Sequence, residues 1–533
     1  MNKNKSTSSH RKARSLAVLL MSIFLYPVLS TFWHHEYPIV SPEFLYAVLL
    51  IILLSVALAA VLAQTRSLVI NLFLALLILL ALMVQFNLLL EGLLVAMVVL
   101  TVFMLLARKY FMPLMTAVFL AMIVGSYFDT LMDRWSNNAI SDSETVDASL
   151  PPVIHIILDQ FIGLDGLPPE TPAQLFRTTM LEFFEENGFQ VYTQAYSNYV
   201  NTEDSLNQAF NFQDSVGDAP RLSFLLLKNY SFENNAYFDA IREKGYAIQV
   251  YQSDGIKFCN STRPPPEKCW TYNIPDLVSV YYGYENPIDR LKIILRIMIS
   301  QSWLLNQVAE ERGLPRPGGF SYFKPAVFEE LSKDITASYQ GRMFFAHMLF
   351  PHSPFVYLSD CSLNYQVDEQ WRFSNYSGTQ PNTPETRGNR YILYLEQARC
   401  ALNLLDEFFN VLRGHGIYDQ SVIVLHGDHG STIYELHPVI GNQELLTTND
   451  LLDAFSTLYA VKMPGGQFEV HNEPISLAHL IQQLAVEITD HEAVELESEP
   501  FIYLKGEAER IRVDTNIFGP RPSNAAGGEE LVD

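Results

Sequence analysis

Cysteine is scarce in this chain. Its 533 residues hold four, Cys259, Cys269, Cys361 and Cys400, and no two are spaced C-x-x-C, which excludes a zinc knuckle or a dithiol redox motif. Basic residues are few as well: 35 Lys and Arg against 58 Asp and Glu leave a net charge of −23. A surface so short of cations excludes a nucleic-acid binder, because phosphate-backbone affinity needs positive charge. No internal repeat is present, which excludes a solenoid or a propeller.

Charge is also nearly missing from the first quarter. Residues 1–130 carry eight Lys/Arg and four acids, so residues 131–533 sum to −27. In place of charge stand five apolar stretches, at about 15–33, 44–63, 68–87, 88–107 and 110–128. Each is near the roughly 20 residues that cross a bilayer as a helix. A cleaved signal peptide is the alternative for the first, but no small-residue cleavage site follows it. Every Lys and Arg here lies in the N-terminal segment 1–14, beside Arg66, or at Arg108-Lys109. The positive-inside rule makes those segments cytoplasmic. Five spans over residues 15–130 then place everything after Phe128 on the far side, in a multi-pass integral membrane protein. The cysteines all fall in that outer portion. Two disulfides in an oxidising compartment account for them, Cys259–Cys269 closing the Pro-rich STRPPPEK loop; four buried free thiols in a cytosolic protein are the alternative.

Beyond the spans, residues 131–150 are polar without an apolar period and read as a linker or a surface helix. Residues 151–506 read as one folded domain, and 507–533 as a disordered tail. Within the domain, short apolar runs at Val153–Leu158, Tyr246–Tyr251, Met343–Leu349 and Ser421–Leu425 have strand length. Runs this continuous suit strands covered on both faces, as in a mainly parallel sheet. Helical segments at Leu175–Asn187, Tyr237–Lys244 and Tyr391–Leu412 alternate with them, and the alternation predicts an α/β sandwich.

The chemistry stands where the apolar runs stop. The first ends at Asp159, the third runs through His347 into Pro351-His352, and the last ends in Gly427-Asp428-His429-Gly430. In open α/β sheets, ligands bind beyond the carboxyl ends of the strands. Carboxylate oxygens and imidazole nitrogens there are the donors of a Zn²⁺ or Mn²⁺ site; the plain alternative is that each acid only starts a turn. In YSNYVNTEDSLNQAF, Thr202 stands where a loop gives way to a helix. It is either an ordinary cap with acids behind it or a nucleophile at a helix N-terminus that also suits a phosphate.

Taken in order, run–Asp159, SNYVNT, HMLFPHSPF and LHGDHG resemble the sulfatase-like members of the alkaline phosphatase superfamily. The likeness is greatest to the membrane-anchored branch of lipoteichoic acid synthases and lipid A phosphoethanolamine transferases. The resemblance implies five N-terminal helices before a sulfatase-like α/β sandwich outside the cytoplasm, and a divalent metal, Zn or Mn, held by Asp159, Thr202, Asp428 and His429. It implies Thr202 as the nucleophile and His352 as a contact to the substrate phosphate or an aid to the leaving group. It matches His347 and His437 to substrate contacts, with a satisfied core histidine as the other reading of His347. Two departures stand out. No Cys/Ser-x-Pro-x-Arg segment occurs, so no formylglycine can form, which favours phosphorus over sulfur. The stretch around Thr202 also lacks the cysteine of the phosphoethanolamine transferases.

The expectation is therefore a metal-dependent phosphotransferase in a bacterial inner membrane, its catalytic domain periplasmic or extracellular. It moves a phospho-headgroup from a membrane phospholipid donor to an envelope glycan or lipid acceptor through a phospho-threonine. A membrane-anchored phosphodiester or sulfate-ester hydrolase and a non-catalytic envelope assembly or binding protein are the alternatives.

Overall fold

The computed structural model describes residues 2–34, 41–64, 110–137, 146–216, 230–272, 325–362, 382–505 and 510–519, apart from single positions within them, with a few more between 70 and 78 and between 287 and 291. The chain divides into two compact units, Met1–Ser136 with Asn273–Phe320, and Asn137–Tyr272 with Ser321–Asp533.

In the first unit, α1 (Asn2–His34), α2 (Pro42–Leu62) and α3 (Phe111–Asn137) contain, among the described residues, three segments long and apolar enough to cross a membrane: Lys12–Ser30, Pro42–Leu62 and Phe111–Phe128. Ser41 caps α2 with its side chain, and Pro42 opens the helix where a missing N–H costs nothing. The expected spans at 68–87 and 88–107 lie, but for a few positions, outside the described residues. The helix α3 runs on to Asn137, into the segment read as a linker.

The second unit is built on an eight-stranded sheet. Its strands are β1 (Val153–Leu158), β2 (Gln190–Tyr192), β3 (Ala247–Ser253), β4 (Lys268–Tyr272), β5 (Arg342–Met348), β6 (Val422–His426), β7 (Tyr459–Lys462) and β8 (Glu469–His471). They lie in the order β8-β2-β7-β6-β1-β5-β3-β4, and only β7 runs antiparallel to its neighbours. All residues of β1 and β6 are buried, so the central strands are covered on both faces, which is why they read as unbroken apolar runs. The helices fall into two packed groups. In one, α5 (Thr202–Phe210) and α6 (Ala236–Glu243) pack with α10 (Leu477–Ile488), on Val153 and Ile157 of β1. In the other, α4 (Thr171–Glu186) and α7 (Pro325–Ala337) flank α8 (Pro384–Gly414). The short α9 (Thr448–Phe455) follows the loop after β6.

The disulfides are Cys259–Cys269 and Cys361–Cys400, with Cα atoms 6.0 and 5.0 Å apart. The second ties the segment after β5 to the middle of α8. Residues 510–519 depart from the expected disordered tail. Ile511–Arg512 pairs with Phe501–Ile502, and Phe518 stacks on Tyr196 with ring centroids 4.2 Å apart. The few apolar side chains in that polar stretch find a ready cluster around Tyr196, where Ile517 and Phe518 are buried.

Candidate active site

In the parallel ladder, Ile157 of β1 faces both His347 of β5 and His426 of β6. The three strands therefore end side by side, and the residues that follow them converge. Asp159, Asp428 and His429 are all buried, and each offers a ligand atom within 4.8 Å of the others. The Nε2 of His429 lies 3.2 Å from Oδ2 of Asp428.

Helix α5 brings the fourth group. Asn201 holds the extended cap position and Thr202 is the first helical residue, so the threonine is not the cap that a sequence reading allows. Its Oγ1 instead lies 3.5 Å from Nε2 of His429. Ser205, one turn along, donates its hydroxyl to the Asp428 carbonyl at 2.5 Å and is in turn 2.7 Å from the Ser197 hydroxyl. This bond fastens the helix of Thr202 to the loop of Asp428.

The loops are shaped for this meeting. Gln160, directly after Asp159, adopts a φ of 62°, a left-handed conformation that costs a non-glycine residue about 1–2 kcal/mol. Its N–H donates to Oδ1 of Asp428 at 2.7 Å, and its carbonyl accepts from the Tyr394 hydroxyl at 2.9 Å. Both glycines of the Gly-Asp-His-Gly turn sit against backbone. A Cβ at Gly427 would strike the Phe161 carbonyl, and one at Gly430 the Asp453 carbonyl.

Electrostatics suit a cation. Burial, and after it the nearby Asp428 carboxylate, push Asp159 well above the usual carboxylate range. Burial would raise Asp428 too, but the His429 imidazole, the Thr202 hydroxyl and the Gln160 N–H together hold it below that range. Oδ1 of Asp159 and Oδ2 of Asp428 are buried with no hydrogen-bond partner among the described residues. Such orphaned acceptors are costly, and a divalent cation is what would satisfy two of them at once. The imidazole agrees: Nδ1 of His429 donates to the Gly430 carbonyl at 3.0 Å, which leaves the lone pair on Nε2 for a metal.

The other expected histidines divide. His347 is fully buried, its Nε2 3.6 Å from Oδ2 of Asp159, and neither ring nitrogen has a hydrogen-bond partner among the described residues. It is not a satisfied core histidine, and burial pushes its pKa down to about 4. His352 feels the charges of Asp428 and His429, burial being the larger influence and lowering its pKa. Its Nδ1 contacts the Ser353 carbonyl at 2.5 Å, and Gln397 on α8 donates to the carbonyls of Pro351 and His352, each at 3.0 Å. His437 stacks on Tyr434 at 5.2 Å, and its electrostatic neighbour is Lys505; it is not part of the carboxylate cluster. Ser205, Gln160 and the pair His155–His426 were not singled out from sequence. A histidine inside the apolar run of β1 and another opening the LHGDHG motif were the available signals.

No family model matches the chain. A 148-residue stretch, 26% of this chain and 20% of the relative, is 30% identical to lipoteichoic acid synthase of Staphylococcus aureus. The matched stretch thus spans about a fifth of the length of that curated relative. Among solved structures, the C-terminal periplasmic domain of EcEptC from Escherichia coli, in complex with Zn, is 11% identical over 69% of this chain and 94% of that one, with a TM-score of 0.41. The lipoteichoic acid synthase LtaP from Listeria monocytogenes is 12% identical over 72% of this chain and 80% of that one, with a TM-score of 0.34. Over the matched stretch the chain is thus similar in sequence to lipoteichoic acid synthase.

Proposed function

We propose that this chain is a membrane-anchored, metal-dependent phosphotransferase that works through a phospho-threonine at Thr202. The observation that carries the proposal is the meeting of Asp159, Asp428 and His429 within 4.8 Å, with the Thr202 hydroxyl 3.5 Å from His429. In this reading Asp159, Thr202, Asp428 and His429 hold a divalent cation, zinc or manganese, since two carboxylates, a hydroxyl and a neutral imidazole suit both. Bound there, such an ion supplies Lewis acidity and lowers the pKa of the threonine hydroxyl.

The residues do the rest. Thr202 Oγ1 attacks the phosphorus of a phospholipid headgroup in the outer leaflet, its proton leaves, and the bond from phosphorus to the lipid glycerol oxygen breaks, that oxygen regaining a proton. His352 donates a hydrogen bond to the phosphoryl oxygens as their charge builds in the transition state, and His347 serves as a further substrate contact. An acceptor hydroxyl on an envelope glycan or lipid then takes the phospho-group, and Thr202 is freed. His437 contributes a more distant substrate contact. The name of the curated relative, lipoteichoic acid synthase, supports this class of acceptor.

The three apolar helices support a bilayer anchor. With the spans at 68–87 and 88–107 they form a five-helix region in a bacterial inner membrane, the catalytic domain facing the periplasm or the exterior. The two disulfides support that side of the membrane. The orphaned carboxylates speak against a purely structural role.

The test uses purified full-length chain. Bound zinc and manganese are measured directly, then phospholipid labelled in its headgroup phosphate is added with and without an envelope acceptor. Wild type should hold about one ion in this site and become labelled, and Thr202→Ala should not. Label that persists in the variant removes Thr202 from the mechanism. Release of headgroup phosphate to water regardless of acceptor makes the enzyme a hydrolase.

A further inference from the structure

Beside the carboxylate cluster, three polar groups with no part in the chemistry above form a line through an apolar core. His426 closes β6, His155 is the third residue of β1, and Tyr237 is the second residue of α6. Nδ1 of His426 meets the Gly427 carbonyl at 2.5 Å, its Nε2 meets Nε2 of His155 at 2.7 Å, and Nδ1 of His155 meets the Tyr237 hydroxyl at 3.1 Å. All three side chains are fully buried, with the rings of Phe210 and Phe345 against His155.

Only one arrangement of protons satisfies this line with neutral rings. A carbonyl can only accept, so Nδ1 of His426 carries a hydrogen. A neutral imidazole has a single N–H, so Nε2 of His426 accepts and His155 donates through its own Nε2–H. Nδ1 of His155 is then an acceptor, filled by the Tyr237 hydroxyl. Both rings are fully buried among apolar and aromatic side chains, surroundings in which an unpaired imidazolium would be costly. The bonds therefore run one way, from Tyr237 through His155 and His426 to Gly427.

What stands at the end of the line matters. The Gly427 carbonyl belongs to the same peptide plane as the Asp428 N–H, so its orientation sets where the Asp428 and His429 side chains begin. On the other side, the Gly427 N–H donates to the Leu458 carbonyl at 2.9 Å, and the Phe161 backbone leaves no room for a Cβ. With that side gripped, rotation of the Gly427–Asp428 peptide is the freedom left, and His426 holds its oxygen.

We propose that His155 and Tyr237 are positioning residues for the cation site: by locking His426 in one tautomer, they hold the turn that presents Asp428 and His429. The inference rests on the metal reading of that site.

The test is zinc affinity of the full-length chain, measured by competition with a chelator of known affinity and without any turnover. A glutamine at position 155 carries its amide nitrogen near the place of Nε2 and can still donate to His426. Leucine cannot, and an asparagine is too short. His155→Gln should bind zinc nearly as tightly as wild type. His155→Leu and His155→Asn should bind about tenfold more weakly or worse, and Tyr237→Phe should fall between. If His155→Leu does not fold, the comparison of His155→Gln with His155→Asn decides. Equal zinc affinity in those two, whatever their unfolding midpoints, makes the line a packing feature only and overturns the inference. A wild type that takes up no zinc or manganese sinks the site reading instead.

Discussion

The Oγ1 of Thr202 lies 3.5 Å from the Nε2 of His429, across 227 positions of sequence. A hydroxyl at a helix N-terminus ordinarily turns back to cap its own helix, but here Asn201 holds that position and Thr202 is left to face the cluster. Thr202→Ser keeps the oxygen, and Thr202→Val keeps the shape without it. The serine variant should still form a labelled phospho-enzyme, more slowly for its extra rotamer freedom. The valine variant should lose on the order of 10⁴-fold or more in transfer rate, as loss of one member of a concerted set does. Rapid-quench labelling with phospholipid checks both, and equal labelling of the valine variant would discard the nucleophile.

Asp159 and Asp428 place two carboxylates in one buried space, with Asp159 held well above its ordinary range by burial and by its neighbour. In the metal-free protein this arrangement is unfavourable, and a cation relieves it. Asp159→Asn should therefore do two opposite things. It should raise the unfolding midpoint of the metal-free chain by removing a carboxyl that must take up a proton to be buried beside Asp428, and it should weaken zinc uptake by more than about 100-fold, beyond what loss of an outer partner costs. Metal uptake by wild type should also release a proton, which calorimetry in buffers of different ionisation enthalpy detects. A variant less stable than wild type without metal would contradict the charge picture.

Much of this site was legible in the sequence because it follows from where continuous apolar runs end. Asp159, Asp428 and His429 stand directly after strands buried on both faces, and parallel register aligns those ends. The short strands β2, β7 and β8 were not legible: three or four residues carry too little periodicity. The helix α8 was read from Tyr391, whereas it begins at Pro384 behind a Thr383–Thr386 capping box, because its first turns are polar on the exposed side. His155 was hidden for another reason. One histidine in VIHIIL looks like any tolerated polar residue until the partner that accepts its hydrogen bond, 271 positions away, is seen.

Acid should unfold the metal-free domain early. His347 and His426 are each pushed down to about 4, largely by burial, and His155 and His352 are lowered as well. A histidine whose folded pKa lies below its unfolded one binds fewer protons when folded. Its contribution is complete above about pH 6.5 and is lost as pH falls through the folded value. Each such group removes up to about 1.4 kcal/mol per pH unit. Asp159, with its pKa raised, works in the opposite sense, but it is one group against four. Denaturant unfolding with chelator present should show stability falling steeply from about pH 6.5 to 4. A flat profile there would mean that these rings take protons without leaving the fold.

Ser205 offers the sharpest separation of alignment from metal binding. Its hydroxyl donates to the backbone carbonyl of Asp428, not to a group proposed to touch the cation, and it sits one turn beyond Thr202 on the same helix. Ser205→Ala leaves that carbonyl without its side-chain donor, at a cost of about 1–3 kcal/mol if the carbonyl is left wholly unpaired. The Asp428 side chain keeps its Gln160 N–H, so zinc affinity should stay near wild type. What loosens is the distance between the nucleophile's helix and the loop it works against. Phospho-enzyme formation should slow about tenfold, the equivalent of roughly 1.4 kcal/mol in the barrier, with little change in the donor concentration at half-saturation. If zinc affinity and labelling rate fall together, Ser205 serves the loop rather than the alignment. If neither moves, other contacts of α5 hold Thr202 in place.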